Sequence, residues 1–451
     1  MSRTIPLLPN YPSPRISSEI NDCSLPLTFD SYSKCSLNCE FCFSSVQRCN
    51  TPGASTAPLQ AVSVPKLKAM MDGTYRGNGE PASFHKYFFD KRFIFHWGGL
   101  SDPFCRFEKK FGVGYQILQM LAERKYPTLF SFKGNTIMED QYLNLFDDHK
   151  HFSSFAFQLS IVTADDNLSK TLERGVPSPT DRFRTMKAVS DMGYWTVLRL
   201  RPYIIGVTDR SIDEILEKGL AAGMNGISTE FYALENRKNP QALEQYKIMG
   251  ELTNNKNIID YYTKLSPKGR GSYKRMNRHI KEPYIKKLYE FCAKHGLTFT
   301  CSDPDFKELS MSGCCCALPE QHPDNPEFNN YLAGQLTTAM MKARRLYHTT
   351  GEKMKLTFEE TYGTEHSFLD DLYLSHQNYG CTMHNYAYRK QLTTRHIIQA
   401  QWNTLTSPAN PLNYFNAKVI PVGVENDNLV FQYNPMDYEK RWASEGINMT
   451  L

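Results

Sequence analysis

KCSLNCEFCF, residues 34–43, spaces three cysteines as Cys35-x3-Cys39-x2-Cys42 directly after an apolar, β-prone run, LPLTFDSY (25–32). Three thiolates within eight residues of one loop can wrap three irons of a single iron–sulfur cubane and leave the fourth iron open to another ligand. The alternative is a zinc knuckle. Zinc asks for four closed ligands, usually as CxxC pairs with a second pair or histidines nearby. The same stretch places an aromatic residue, Phe41, immediately before the third cysteine.

Outward from this loop, short β-rich runs alternate with amphipathic stretches as far as residue 301. Candidate strands are 25–32, 92–97, 128–132, 154–161, 195–201, 226–232 and 297–301. Helical patterns lie between them at 64–71, 113–123, 182–192, 211–223 and 282–296, and Gly193, Gly223 and Gly296 stand where helix-ending glycines belong. Seven strands joined by helical crossovers predict an α/β fold, a full or partial (β/α) barrel with its active site at the C-terminal strand ends. We read residues 1–25 as an N-terminal arm and 26–317 as the barrel with a cysteine-bearing loop on its C-terminal face. Residues 318–451 read as a mainly helical extension (329–348, 366–377, 385–403) ending in a β-hairpin over 416–433.

The chain has 451 residues, 41% of them hydrophobic, enough for a large core. A net charge of +5 permits an anionic partner without requiring one. The N-terminal stretch has no apolar signal-like run, and no segment approaches the length of a membrane span. A cytoplasmic setting without membrane contact is therefore expected, where twelve cysteines serve more naturally as metal or cluster ligands than as disulfides.

Four further motifs follow the cysteine loop in order. They are HWGGLSDPFCRFE (96–108), with Ser101, Asp102, Pro103, Phe104 and Glu108; FSFKGN (130–135), with Lys133; QLSIVTADDNLSKTLERGVPSPTDR (158–182), with Ser160, Glu173, Gly175 and Arg182; and RPYIIGVTD (201–209). Together with CxxxCxxC, this series resembles the radical S-adenosylmethionine (SAM) superfamily, and within it the spore photoproduct lyase-like branch, over about residues 26–230. The resemblance implies a [4Fe-4S] cluster on Cys35, Cys39 and Cys42 with SAM on the open iron, reduced by an external flavodoxin- or ferredoxin-type donor. It implies reductive cleavage of SAM to a 5′-deoxyadenosyl radical that abstracts hydrogen from substrate. It also implies roles: Phe41 beside the adenine, Gly98 and Gly99 giving close backbone approach, Ser101 and Ser160 bonding ribose or methionine groups, and Lys133 or Arg199 pairing with the SAM carboxylate. The lyase's hydrogen-donor cysteine corresponds to Gly99 here, with Cys105 a few residues beyond, so the lyase activity itself is not expected.

A second cysteine group comprises Cys301, at a strand end, and Cys314, Cys315 and Cys316 in SMSGCCCALPE. It admits an auxiliary iron–sulfur cluster, a radical-transferring thiol (Cys105, Cys301 and Cys315 being the candidate catalytic cysteines), or packing or zinc. Cys23, Cys49, Cys105, Cys292 and Cys381 beside His384 are possible partners. Residues 266–281 hold Lys268, Arg270, Lys274, Arg275, Arg278 and Lys281 with Tyr273 and no acid, a composition suited to phosphates and stacked bases. Repair or modification of a nucleic acid or nucleotide is the first functional expectation. Modification of a peptide or protein with an auxiliary cluster is the second.

Overall fold

The computed structural model describes residues 8–16, 25, 27–44, 56–75, 88–235, 240–266, 273–320, 322–329, 336–352, 355–357, 418–425 and 428–451. The expected helices 366–377 and 385–403 lie outside the described residues, as do Cys23, Cys49, Cys381, His384, Lys268 and Arg270.

Ten strands belong to the first two-thirds of the chain: β1 (Arg15–Ile16), β2 (Leu27–Phe29), β3 (Phe95–Trp97), β4 (Thr128–Phe132), β5 (Phe155–Ser160), β6 (Trp195–Tyr203), β7 (Gly226–Phe231), β8 (Leu234–Glu235), β9 (Tyr273–Lys274) and β10 (Thr298–Cys301). Eight form one sheet in the order β1-β2-β3-β4-β5-β6-β7-β10. The pairs from β2 to β10 are all parallel, and β1 adds antiparallel to the first edge. Parallel neighbours in sequence order, joined by helices, wind in one direction as a barrel does. The sheet is open, with β1 and β10 as its ends, so the fold is a partial (β/α) barrel.

Strand periodicity sorts the side chains between two faces. The outward face is aromatic. Phe95, Trp97, Phe130, Phe132, Phe155, Phe157 and Phe299 join one large buried cluster with the covering helices, and the Phe130 and Phe157 rings stack at 5.3 Å. The inward face changes character along the strands. Near their N-terminal ends Leu25, Ile94, Leu129 and Ala156 form an apolar floor. Above the floor, the inward positions become polar: Ser131, Gln158, Ser160, Arg199, Arg201, Ser228 and Glu230.

The C-terminal extension packs on this frame. Helix Leu336–Thr350 buries Met340 and Ala343 in the main cluster, and Arg344 donates to the Tyr289 hydroxyl at 3.2 Å and the Met449 carbonyl at 2.7 Å. A three-stranded antiparallel sheet follows, β11 (Lys355–Thr357), β12 (Val419–Glu425) and β13 (Asn428–Tyr433), in the order β11-β13-β12. The chain does not end on that hairpin. Helix Asp437–Ser444 comes after it and buries Tyr438 and Trp442, with Trp442 6.3 Å from Tyr289 ring to ring.

Gly98 shows how tightly the strands constrain the loop above them. It has φ +108°, and a Cβ there would lie 2.1 Å from the Ser131 carbonyl oxygen. Neighbouring Gly99 would meet nothing closer than Thr28 Cβ at 3.6 Å. Gly98→Ala should therefore destabilise the protein by about 1–3 kcal/mol or more, while Gly99→Ala should stay within about 1 kcal/mol. Urea unfolding of the two variants checks this. Equal losses would contradict the close approach of β3 and β4.

Candidate active site

The cysteine loop leaves β2 at the C-terminal end of the sheet and is held from two sides. On one side, Asp30 accepts from the Leu100 and Ser101 backbone N–H groups at 2.8 and 2.7 Å and pairs with Arg15. The Ser101 hydroxyl donates to the Tyr32 carbonyl at 2.8 Å. The Tyr32 hydroxyl donates to Glu108 at 2.7 Å, and Glu108 also accepts the Gly114 and Tyr115 N–H groups, each at 2.7 Å. On the other side, Glu40 N–H donates to the Leu172 carbonyl and Gly175 N–H to the Leu37 carbonyl, both at 2.9 Å, and Cys39 bridges to Glu173 in antiparallel fashion. A Cβ on Gly175 would lie 2.8 Å from the Ser36 carbonyl oxygen, so the loop rests directly on that glycine.

Cys35, Cys39 and Cys42 are all half-buried and outside any disulfide, and Cys42 N–H closes a turn onto the Cys39 carbonyl at 3.2 Å. The Cys35 thiol shares a hydrogen bond with Cys105. That bond, then burial, raises Cys35, and the same bond lowers Cys105 to about 7. Burial pushes Cys39 up to about 12 against the pull of Lys133. Among the described residues no three His, Cys, Asp or Glu side chains stand close enough to grip a metal ion as they are placed, these three thiols included. The donor chemistry nevertheless suits a cluster. Three half-buried thiols share one clamped loop, and a buried cationic group lies beside them.

That cationic group centres on Glu173. Its carboxylate is fully buried, pairs with Lys133, and accepts from Arg182 at 2.5 Å. Burial opposes its ionisation, but Arg182 and Lys133 outweigh burial and hold the carboxyl at about 2. Arg182 also donates to the Ser160 carbonyl at 2.6 Å, anchoring the end of β5. Lys133 keeps 12% of its side chain exposed and lies 4.4 Å from the Phe41 ring centre, on the same loop as the thiols. Two cations thus share one buried carboxylate beside the cysteines, which leaves capacity for a second anion.

The other expected site residues divide. Gly98 lacks a side chain because β4 requires it. The Ser101 hydroxyl is spent on Tyr32. Asp102 accepts the Phe104, Lys133 and Gly134 N–H groups, at 2.9, 2.5 and 3.1 Å, and burial raises its carboxyl to about 6. The Asp-Pro-Phe motif and Glu108 are therefore latches between loops. Ser160 and Arg199 do stand together on the inner face, with Arg199 Nη1 donating to the Ser160 hydroxyl at 3.3 Å. Residues the sequence reading missed lie beside them: His96, Ser131 and Gln158 in a relay, and Arg201 paired with Glu230 at 2.7 Å. Their signal was present as polar residues at alternate positions of otherwise apolar strands.

The second cysteine group does not form one site. Cys301 belongs to the outward cluster with Phe299 and Leu309, away from the barrel mouth. Cys314, Cys315 and Cys316 sit on the other face, against Leu129 and Ala156 on the floor. The Cys315 carbonyl accepts from Ser228 at 2.9 Å and Thr300 at 3.1 Å, and Trp195 Nε1 donates to the Ala317 carbonyl at 3.0 Å. The expected C-terminal-face loop is thus a plug at the N-terminal end. It passes close under Gly226, where an added Cβ would lie 3.2 Å from the Ala317 Cβ. Cys292 is buried in the main cluster.

The basic run 266–281 is likewise redistributed. Lys281 is fully buried between Asp303 and Asp305, each 2.6 Å away. Arg275 turns inward to Glu230 at 3.4 Å, and Arg278 lies 5.7 Å from the Tyr438 ring centre. Within the described part of the run, acids from other elements therefore claim Arg275 and Lys281.

Glu173→Gln should destabilise the protein by about 3–5 kcal/mol, because it leaves two buried cations without a counter-charge. The wild-type carboxyl is depressed from an ordinary 4.5 to about 2. Its contribution is therefore present above pH 4.5 and lost as the pH falls towards 2, and the variant should lack that part of the acid dependence. Urea unfolding between pH 3 and 7 measures both effects. A neutral Glu173→Gln would contradict the network.

No family model matches the chain, and no curated protein matches it. Among solved structures it is similar to a spore photoproduct lyase double mutant with bound AdoMet and dinucleoside spore photoproduct. The identity is 14% over 63% of this chain and 79% of that one, with a TM-score of 0.44. A single mutant of the lyase gives 13% identity over 65% and 80%, with a TM-score of 0.46. Streptococcus suis SuiB bound to S-adenosylmethionine gives 13% identity over 69% of this chain and 56% of that one, with a TM-score of 0.38.

Proposed function

We propose that this chain is a radical SAM enzyme that acts on a nucleic acid or nucleotide, in repair or modification. The carrying observation is the clamped loop with Cys35, Cys39 and Cys42, set beside the Lys133–Glu173–Arg182 group at the C-terminal end of a parallel sheet. When bound, a [4Fe-4S] cluster with SAM supplies one-electron cleavage of the sulfonium and hydrogen abstraction from substrate.

The chain's own residues supply the setting. The three thiols are the cluster ligands. Lys133 has donors beyond the one facing Glu173, and these suit the SAM carboxylate. Arg182 holds Glu173 in place, so that Lys133 is positioned rather than neutralised by a mobile partner. Phe41 offers an apolar face on the same loop, with Lys133 over one side of its ring. An external flavodoxin- or ferredoxin-type protein provides the electron. No described helix is long and apolar enough to cross a membrane. The second reading, peptide modification with an auxiliary cluster, loses Cys301 as a ligand beside Cys314–Cys316, because the two lie on opposite faces of the sheet.

Changing Cys35, Cys39 and Cys42 together to Ala should remove about four irons per chain and all 5′-deoxyadenosine production after anaerobic reconstitution. Retained SAM cleavage would overturn the proposal. Lys133→Ala should leave the iron content intact and weaken SAM binding by roughly tenfold or more, the effect of losing one charge-assisted bond. An unchanged SAM dissociation constant would remove Lys133 from the cofactor site.

A further inference from the structure

The inner face of β6 carries two arginines two residues apart, Arg199 and Arg201, so both project into the barrel. Their surroundings are short of negative charge. Glu230 on β7 pairs with Arg201 at 2.7 Å and also faces Arg275 at 3.4 Å. Among the described residues Glu230 is thus the one carboxylate that bonds either Arg199 or Arg201. Arg199 bonds only the Ser160 hydroxyl among the described residues, and its Nε is buried without a partner.

Glu230 and the Cys315 and Cys316 thiols act on Arg199 from a distance, but among the described residues none of them hydrogen-bonds it. The Ser131 hydroxyl donates to Gln158 Oε1 at 2.8 Å, so it accepts from His96 Nε2, also at 2.8 Å. That assigns the proton to Nε2. Burial and then Arg199 push the His96 imidazole down to about 4, so it is neutral at pH 7. Hydrogen bonds from Cys314 and Cys315, then burial, raise the Cys316 thiol, and it too is neutral. A buried guanidinium without a counter-ion is costly unless an anion arrives to pair with it. Lys281, close in sequence to Arg275, shows the contrast, because it holds two acids of its own.

We propose that Arg199 and Arg201 form an anion seat inside the barrel that binds a phosphate group of the substrate, separate from the SAM carboxylate at Lys133. The proposal rests on the enzyme reading above only in calling the bound phosphate part of a substrate. Phosphate is favoured over a carboxylate because two neighbouring planar forks can share the oxygens of one tetrahedral group. A nucleotide enters such a seat singly, with its phosphate inside the sheet and not along an outer basic strip.

Isothermal titration of the full chain with inorganic phosphate, acetate and SAM, at constant ionic strength in chloride, tests this. Phosphate should bind more tightly than acetate. Arg199→Gln and Arg201→Gln should each weaken phosphate at least tenfold and leave the SAM dissociation constant within about twofold. Lys133→Ala should do the reverse. Where Arg199→Gln fails to fold, Arg199→Lys keeps the charge, loses the fork, and should still weaken phosphate severalfold. Phosphate binding that survives both arginine variants, acetate binding as tight as phosphate, or an Arg199 variant that weakens SAM instead would each overturn the proposal. Phosphate binding needs no SAM cleavage. A chain that binds phosphate through Arg199 but makes no 5′-deoxyadenosine would therefore reject the enzyme reading and keep the seat.

Discussion

A single buried carboxylate, Glu173, joins the parts of the molecule that matter for chemistry. It draws Lys133 from the end of β4, holds Arg182, and through Arg182 fixes the last carbonyl of β5. Its backbone bridges to Cys39. The cysteine loop, two strand ends and a cation therefore share one electrostatic anchor. Removing a charge from such a group leaves its partners exposed to a low dielectric with nothing to offset them, so the arrangement is all or none. The clamp of Asp30, Tyr32 and Glu108 on the far side of the loop completes the support without placing charge at the thiols.

The barrel interior is graded from dry to charged. Its floor is apolar and closed by the Cys314–Leu318 segment, whose carbonyls face upward to Ser228, Thr300 and Gln158. The middle layer is neutral and hydrogen-bonded in series, running from His96 through Ser131 and Gln158 to the Cys316 carbonyl. The upper layer holds Arg199, Arg201 and Glu230. A floor that satisfies its own polar groups directs any bound ligand to the open C-terminal end, where the thiols stand. The triple cysteine is thus part of what makes the chamber, through its backbone more than its sulfur atoms.

Much of this architecture was legible in the sequence, and the misses share a cause. Strand-helix alternation gave the seven parallel strands, and the spacing of Cys35, Cys39 and Cys42 located the loop, because both signals are local. Cys301 was misplaced by one step of strand parity, since a strand end gives no sign of which face its last residue takes. The 314–316 segment reads as a loop near the mouth, but the chain between Cys301 and Cys314 runs down the sheet and returns beneath it. Arg275 and Lys281 left the basic run because their acids, Glu230, Asp303 and Asp305, come from other strands and loops. Gly98, Asp102 and Glu108 belong to a recognisable motif, and their contacts show that much of it serves to lock loops together.

The central claim is that the loop of Cys35, Cys39 and Cys42 supports reductive cleavage of SAM. The most direct measurement is mass-spectrometric detection of 5′-deoxyadenosine from the anaerobically reconstituted wild-type chain, incubated with SAM and a strong one-electron reductant. The account predicts 5′-deoxyadenosine that depends on iron, on reductant and on SAM. Tightly bound zinc at these cysteines, with no 5′-deoxyadenosine after iron and sulfide loading, would contradict it.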